Sequence, residues 1–321
     1  MKRFGVQLSI TSAILLGMAP VLGKSAIQQG MLPLAVVAYR TAGAAVLLLL
    51  VVLLFKRKFL YIFPVGLAGC LLAGGLNGLG SIFYYSALAR IDASVGQLIY
   101  ALYPTFVAVL LYLDGQQPSR LTIFRLGLSL PAIYLLTQAT TQEVDAIGLL
   151  LMLAASILYA LHIPINQRVL FEAPAPTVTM YTLFAMTAVV VPAYLLLSPE
   201  IALPPQAGVV SLAGLTLVTF LSRLTLFAGV KSIGGLQASI LGLAELLVTI
   251  GLAHLWLGES LSWQQWIGAL ILMTALLLVR RDSQTQIAAR TRGWLYWLRP
   301  PLPPIPRSDD QEAGDEQSSS I

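Results

Sequence analysis

The chain has 321 residues, of which 57% are hydrophobic and only 10% charged, with 19 Lys+Arg against 14 Asp+Glu for a formal net charge of +5. Soluble domains carry roughly 25% charged residues, which excludes an ordinary globular enzyme. The basic residues stand singly or in short groups between long apolar runs, which excludes a nucleic-acid-binding face.

What remains is an all-α integral membrane protein. A helix needs about 20 mostly apolar residues to cross the hydrocarbon layer, because in lipid all its backbone groups must be bonded within the segment. Ten stretches qualify, and predict ten transmembrane helices over Phe4 to Gly23, Leu32 to Phe55, Ile62 to Tyr85, Ala93 to Leu113, Leu121 to Gln138, Ala146 to Asn166, Val178 to Leu197, Val209 to Val230, Leu236 to Leu257 and Trp263 to Val279. Arg125, four residues into the fifth stretch, must snorkel toward headgroups. Lys2-Arg3 ahead of an apolar run also suits a signal peptide, but no small-x-small cleavage site follows cleanly, and the repeat described below needs this segment retained.

Cytoplasmic connections hold the excess of Lys and Arg. With the N terminus inside, that side receives Lys2, Arg3, Lys56-Arg57-Lys58, Arg120, Arg125, Arg168, Lys231, Arg280 and Arg281, whereas the other receives only Lys24 and Arg90. The expectation is a multi-pass protein of the cell inner membrane with both termini cytoplasmic. Beyond Val279 the composition changes. Residues 280–299 carry five Arg with Trp294, Tyr296 and Trp297, which suits the anionic inner leaflet. Residues 300–306 (PPLPPIP) read as extended chain and the acidic end, 308–321, as a disordered tail.

The two halves repeat. Gly5 and Gly148 open the first and sixth stretches and Pro33 and Pro176 the second and seventh, both pairs 143 residues apart. Leu113-Asp114-Gly115 with Ser119 is matched by Leu257-Gly258-Glu259 with Ser262, and Gly127 by Gly268. Each copy holds five spans, and an odd number sends the second copy into the membrane from the opposite side. The expected architecture is therefore two inverted five-helix repeats, residues 4–138 and 146–280, with a tail from 281 to 321. Repeats of this kind build secondary transporters around a site near the midplane.

Ala87-Leu-Ala-Arg-Ile-Asp-Ala-Ser94 leads to Tyr103-Pro104 and the turn Asp114-Gly115-Gln116. Gly229-Val-Lys-Ser-Ile-Gly-Gly235 leads in turn to Ala244-Glu245, Gly258-Glu-Ser-Leu-Ser262 and Gly268. In this order, and with Pro33 to Arg40 opening the second span, these patterns resemble the drug/metabolite transporter superfamily, EamA family, over roughly residues 4 to 280. Two positions depart from the pattern: Glu245 stands where such repeats often have Pro, and Gln116 replaces the usual Glu. The resemblance implies ten helices around a central cavity, and alternating access for a small metabolite such as an amino acid, an amine or a related compound.

Charges inside spans are costly, so they face a water-filled cavity or a partner. Three are found here. Glu245 lies about nine residues into the ninth span, roughly 13 Å from its start at 1.5 Å per residue; Arg40 lies in the second span and Arg223 in the eighth. A desolvated carboxyl takes up a proton or pairs with a cation, so Glu245 reads as a proton carrier or as half of an ion pair with Arg40 or Arg223. Polar residues at helical spacing extend the candidate substrate site. They are Asn77 and Tyr84 on the third span, Gln97 and Tyr100 on the fourth, and Tyr159 and His162 on the sixth; Ser81, Asn166, Thr216 and Thr219 share inward-facing polar stripes of the third, sixth and eighth spans without being assigned to the site. Gly66, Cys70, Gly74 and Gly78 form a small-residue face for close packing.

Cys70 is the only cysteine and lies in an apolar run, which leaves no disulfide framework and no Cys-rich metal site. No CxxC, HExxH, GxxxxGK[ST] or GxSxG sequence occurs. With two His, one Cys and one mid-membrane acid, an intramembrane enzyme is poorly supplied. The chain therefore reads as a carrier without metal or cofactor, its partners being a small solute and the lipid bilayer, driven by a gradient of protons or of the solute itself, with homodimer formation left open. A flippase for lipid or polyprenyl phosphate, its phosphate gripped by Arg40 and Arg223, is the alternative.

Overall fold

In the computed structural model, residues 2–114, 145–198, 205–258 and 262–277 are described, with a few positions between 120 and 135 and Leu298. Among them the chain is helical throughout. Helices α1 (Lys2–Gln28), α2 (Pro33–Phe55), α3 (Pro64–Leu88), α4 (Ala93–Tyr100) and α5 (Tyr103–Leu113) belong to the first half. Helices α6 (Ala146–Glu172), α7 (Ala175–Leu197), α8 (Gln206–Ile233), α9 (Gly235–Gly242), α10 (Ala244–Leu252) and α11 (Trp263–Leu277) belong to the second. Eight stretches, with α4–α5 and α9–α10 each taken as one, are long and apolar enough to cross a membrane. The expected fifth span, apart from those few positions, and the tail, apart from Leu298, lie outside the described residues, and the expected tenth is represented by α11.

Two stretches expected to be continuous are broken. The fourth span divides at Ala101-Leu102, where Pro104 in the first turn of α5 cannot donate to the preceding turn. The ninth divides at Leu243, and its far end widens into a π-helical turn over Ala253–Leu257, closed by Gly258 in the left-handed conformation at φ +71°. Elsewhere the starts follow from sequence. Pro33, Pro64 and Pro176 sit in first turns, where a missing N–H costs nothing. The Asp145 carboxylate caps α6, accepting from Ile147 N at 2.8 Å and Gly148 N at 3.3 Å. The Arg90 guanidinium, 2.9 Å away, is the main force holding that carboxyl below the usual carboxylate range.

The halves interlock by exchange. α1 packs mainly on α8, α3 on α6, and α2 on α7, so the first helix of one half meets the third of the other and the second meets its counterpart. Ser12 donates to the Ser222 carbonyl at 2.9 Å and Ser25 meets Ser211 at 3.2 Å, so α1 and α8 are antiparallel. Lys231 donates to the Ala173 carbonyl at 2.7 Å, joining the C-terminal ends of α6 and α8. The first helices of the two halves, α1 and α6, therefore run in opposite directions.

Both ends are tied by polar contacts. At the end where α1 begins, Arg168 Nη2 meets Asp114 Oδ2 at 2.6 Å with both side chains almost wholly buried, and Gln167 accepts from Gly235 N at 2.8 Å. At the opposite end Lys24 donates to the orphan carbonyls of Leu88 and Ile91 at 2.7 and 2.8 Å, and the Arg90–Asp145 pair is exposed. Leu298 is buried against Ala73 and Ile165.

The small-residue face of α3 is real at Gly74 and Gly78, which lie against the backbone of α7. A Cβ at Gly74 would stand 2.5 Å from both Ala185 Cβ and the Thr182 carbonyl oxygen, whereas one at Gly75 meets only Val189 Cγ2 at 4.0 Å. Gly74→Ala is therefore expected to destabilise by about 1–3 kcal/mol through overpacking, and Gly75→Ala to be neutral. Thermal melting of the two purified variants checks this.

Candidate functional site

Where the halves meet, residues of α1, α2, α3, α4, α6, α8 and α10 line a cavity of about 50 Å³. Eight of the nine residues singled out from sequence line it: Glu245, Arg40, Arg223, Asn77, Tyr84, Gln97, Tyr100 and Tyr159. Both breaks adjoin it, since Gln97 and Tyr100 close α4 just before Ala101 and Glu245 lies in the first turn of α10 just after Leu243.

Local packing fixes Glu245. Gly17 of α1 has no side chain, so the Glu245 carbonyl and Val248 approach that backbone closely, and Thr249 Oγ1 donates to the Gly17 carbonyl at 2.8 Å. Three residues on, Pro20 cannot donate to the carbonyl of Leu16, and both residues line the cavity. The Glu245 side chain is only 2% exposed and its Oε1 has no hydrogen-bond partner among the described residues. The expected ion pair is not formed: Arg223 is within electrostatic reach, but among the described residues no cationic nitrogen comes within 4.0 Å of that carboxylate.

The two arginines, each 5% exposed, are held by neutral groups. Arg40 Nη1 donates to Thr219 Oγ1 at 3.3 Å and its guanidinium lies 4.6 Å from the ring centroid of Tyr85. The Asn77 amide, turned oxygen-first, accepts from the two terminal nitrogens of Arg223 at 3.0 and 3.2 Å, and that guanidinium lies 5.4 Å from the Tyr159 ring. Stacking on aromatic faces leaves the edges of a guanidinium free to donate, and the Nε atoms of both lack an acceptor.

Aromatic rings form the remaining wall. Tyr84 stands edge-on to Tyr100 at 4.9 Å, Tyr100 lies 5.1 Å from Tyr159, and the Tyr84 hydroxyl donates to Gln97 Oε1 at 2.9 Å. Tyr103 joins from behind, donating to the Ser239 carbonyl at 3.1 Å and so tying α5 to α9.

His162, the ninth expected residue, is not on the cavity. It is fully buried, its Nδ1 against the Tyr159 carbonyl and its ring 4.5 Å from Tyr159, so it backs that tyrosine. Asn166 likewise turns away, accepting from Thr182 at 3.0 Å. Tyr85, Leu16 and Pro20 line the cavity without having been singled out as site residues. Tyr85 was within reach of the periodicity, because Asn77, Ser81 and Tyr85 stand at i, i+4 and i+8. Among the described residues no group of three or more His, Cys, Asp or Glu is placed to hold a metal ion.

The EamA-like transporter family matches residues 3–138 and again residues 146–281. A solved structure described only as "Crystal structure of protein" superimposes with a TM-score of 0.67, covering 86% of this chain and 98% of its own at 17% identity, which is a likeness of fold. No curated protein matches the sequence.

Proposed function

The chain belongs to the EamA-like transporter family, a membrane transporter family of the drug/metabolite transporter superfamily, and from that premise we propose that it is a secondary carrier exporting a small organic metabolite such as an amino acid, an amine or a related compound. The cavity between the halves binds the solute, and rocking of the halves exposes it to either side in turn. The observation that carries this reading is one buried carboxyl and two buried guanidinium groups converging on a cavity where the two halves meet. Soluble cores rarely bury such groups unpaired, and inside a membrane they mark a solute or proton path.

About 50 Å³ holds a few waters and no metabolite, so admission requires a side to open. The breaks at Ala101-Leu102 and Leu243 supply backbone that can bend beside Gln97 and Glu245. No GxxxxGK[ST] sequence occurs in the chain, and a gradient, of protons or of the solute itself, drives the cycle, with Glu245 as the group that exchanges a proton where protons couple. In the cell the protein lies in the inner membrane with both termini cytoplasmic, as ten spans in two inverted repeats over 4–138 and 146–280.

Counterflow in proteoliposomes tests this. Liposomes preloaded with an unlabelled solute and containing the protein are expected to accumulate the same labelled solute for at least one member of a panel of amino acids, amines, sugars and organic acids. A panel without a single protein-dependent signal, or labelled lipid crossing in its place, overturns the reading.

A further inference from the structure

Resting on that reading, the charges and free donors of the cavity narrow the class of solute. The side chains lining it bring two guanidinium groups and one carboxyl, so even with Glu245 ionised at least one positive charge is left uncancelled among buried side chains. Buried charges are stable only when paired and hydrogen-bonded. Here the protein gives its guanidiniums only neutral partners, the Thr219 hydroxyl, the Asn77 amide and the faces of Tyr85 and Tyr159, while Nε of each remains without an acceptor. The two groups also repel one another across the cavity. An anion with at least two acceptor oxygens would serve both groups.

We propose that the cavity is a site for a small organic carboxylate of net charge −1. Its two oxygens take up the free donor edges of Arg40 and Arg223, and its carbon body lies against Tyr84, Tyr100 and Tyr159. A carboxylate matches the guanidinium fork in plane and spacing, and with Glu245 ionised one negative charge brings the site to neutrality. An amine would raise the uncancelled charge and leave both Nε atoms without an acceptor. An inorganic halide would cancel the charge but make no use of the aromatic wall.

The test uses the purified full-length protein in nanodiscs and reads melting temperature against ligand concentration. The probes are benzoate, phenylacetate and acetate, set against benzylamine, benzyl alcohol and chloride. The carboxylates are expected to stabilise the protein saturably, with dissociation constants at least about tenfold below those of benzylamine and benzyl alcohol, as loss of a charge-assisted hydrogen bond demands. Arg40→Gln and Arg223→Gln are each expected to raise the benzoate dissociation constant at least about tenfold, and the Lys variants to keep weak binding because they keep charge without the fork. The proposal is overturned if benzylamine binds as tightly as benzoate, if chloride alone reproduces the stabilisation, or if none of the carboxylates stabilises the wild-type protein. Carboxylate binding without counterflow of the bound probe would refute transport and leave the anion site standing. Counterflow confined to amines would do the reverse.

Discussion

Glu245→Gln is expected to lower the rate of solute counterflow and of coupled uptake by about one to two orders of magnitude, with expression, membrane insertion and melting temperature close to those of the wild type. The substitution keeps shape and hydrogen-bonding capacity and removes only the ionisable oxygen. Hydrogen bonds to a charged group are worth about 1.5–3 kcal/mol, which is roughly 10- to 150-fold. Folding is spared because the described structure gives Oε1 no partner to lose and no cation in ion-pair contact, while the contacts that seat α10 on α1 come from the Glu245 carbonyl, Val248 and Thr249. If Glu245 were part of a lock between helices, the variant would melt early and transport would fall only in proportion to folded protein. Flux equal to that of the wild type would remove Glu245 from both proton exchange and solute binding.

The second large effect concerns stability. Arg168→Met is expected to cost about 3–5 kcal/mol, because it removes the guanidinium that contacts the buried Asp114 carboxylate at 2.6 Å through Nη2 and 3.1 Å through Nε. In a protein of this size that is a fall in melting temperature of roughly 10 °C, readable by fluorescence-detected size exclusion after heating. Arg90→Met removes the comparable pair at the opposite end, where the partners are 45% and 34% exposed. Water already screens that pair, so its loss is expected to leave melting almost unchanged. Equal effects at the two ends would mean that burial does not set the strength of these pairs.

How far the sequence reveals this molecule depends on which physical constraint each feature answers to. The charged residues of the site were legible because placing Glu245, Arg40 and Arg223 in lipid is so costly that they had to face inward. The duplication was legible because Gly5 and Gly148, where a Cβ would stand 2.6 Å from Ser232 and 2.7 Å from Ile91 of the other half, and Pro33 and Pro176, in first helical turns, occupy matching positions. The breaks were not. Pro104 hints at the first, but no proline stands near Leu243, and apolar periodicity reports exposure to lipid, not continuity of the hydrogen-bond ladder. The face of a helix could be inferred from spacing, but not the direction of one ring on it. His162 stands one turn from Tyr159 and yet folds against its carbonyl instead of entering the cavity. The pairing of α1 with α8 was equally hidden, since lipid-facing and protein-facing apolar residues look alike in a sequence.

That exchange of partners has a consequence for how the protein is made. The Ser12–Ser222 contact joins residues 210 positions apart. At about 5–20 residues per second, roughly 10–40 s of synthesis separate the emergence of the two. During that interval α1 must wait in the bilayer with its polar face, including Ser9, Ser12 and Ser25, served by lipid, water or the insertion machinery. A ribosome stalled after the first half would release a product whose leading helix has lost its main neighbour, a natural target for membrane quality control.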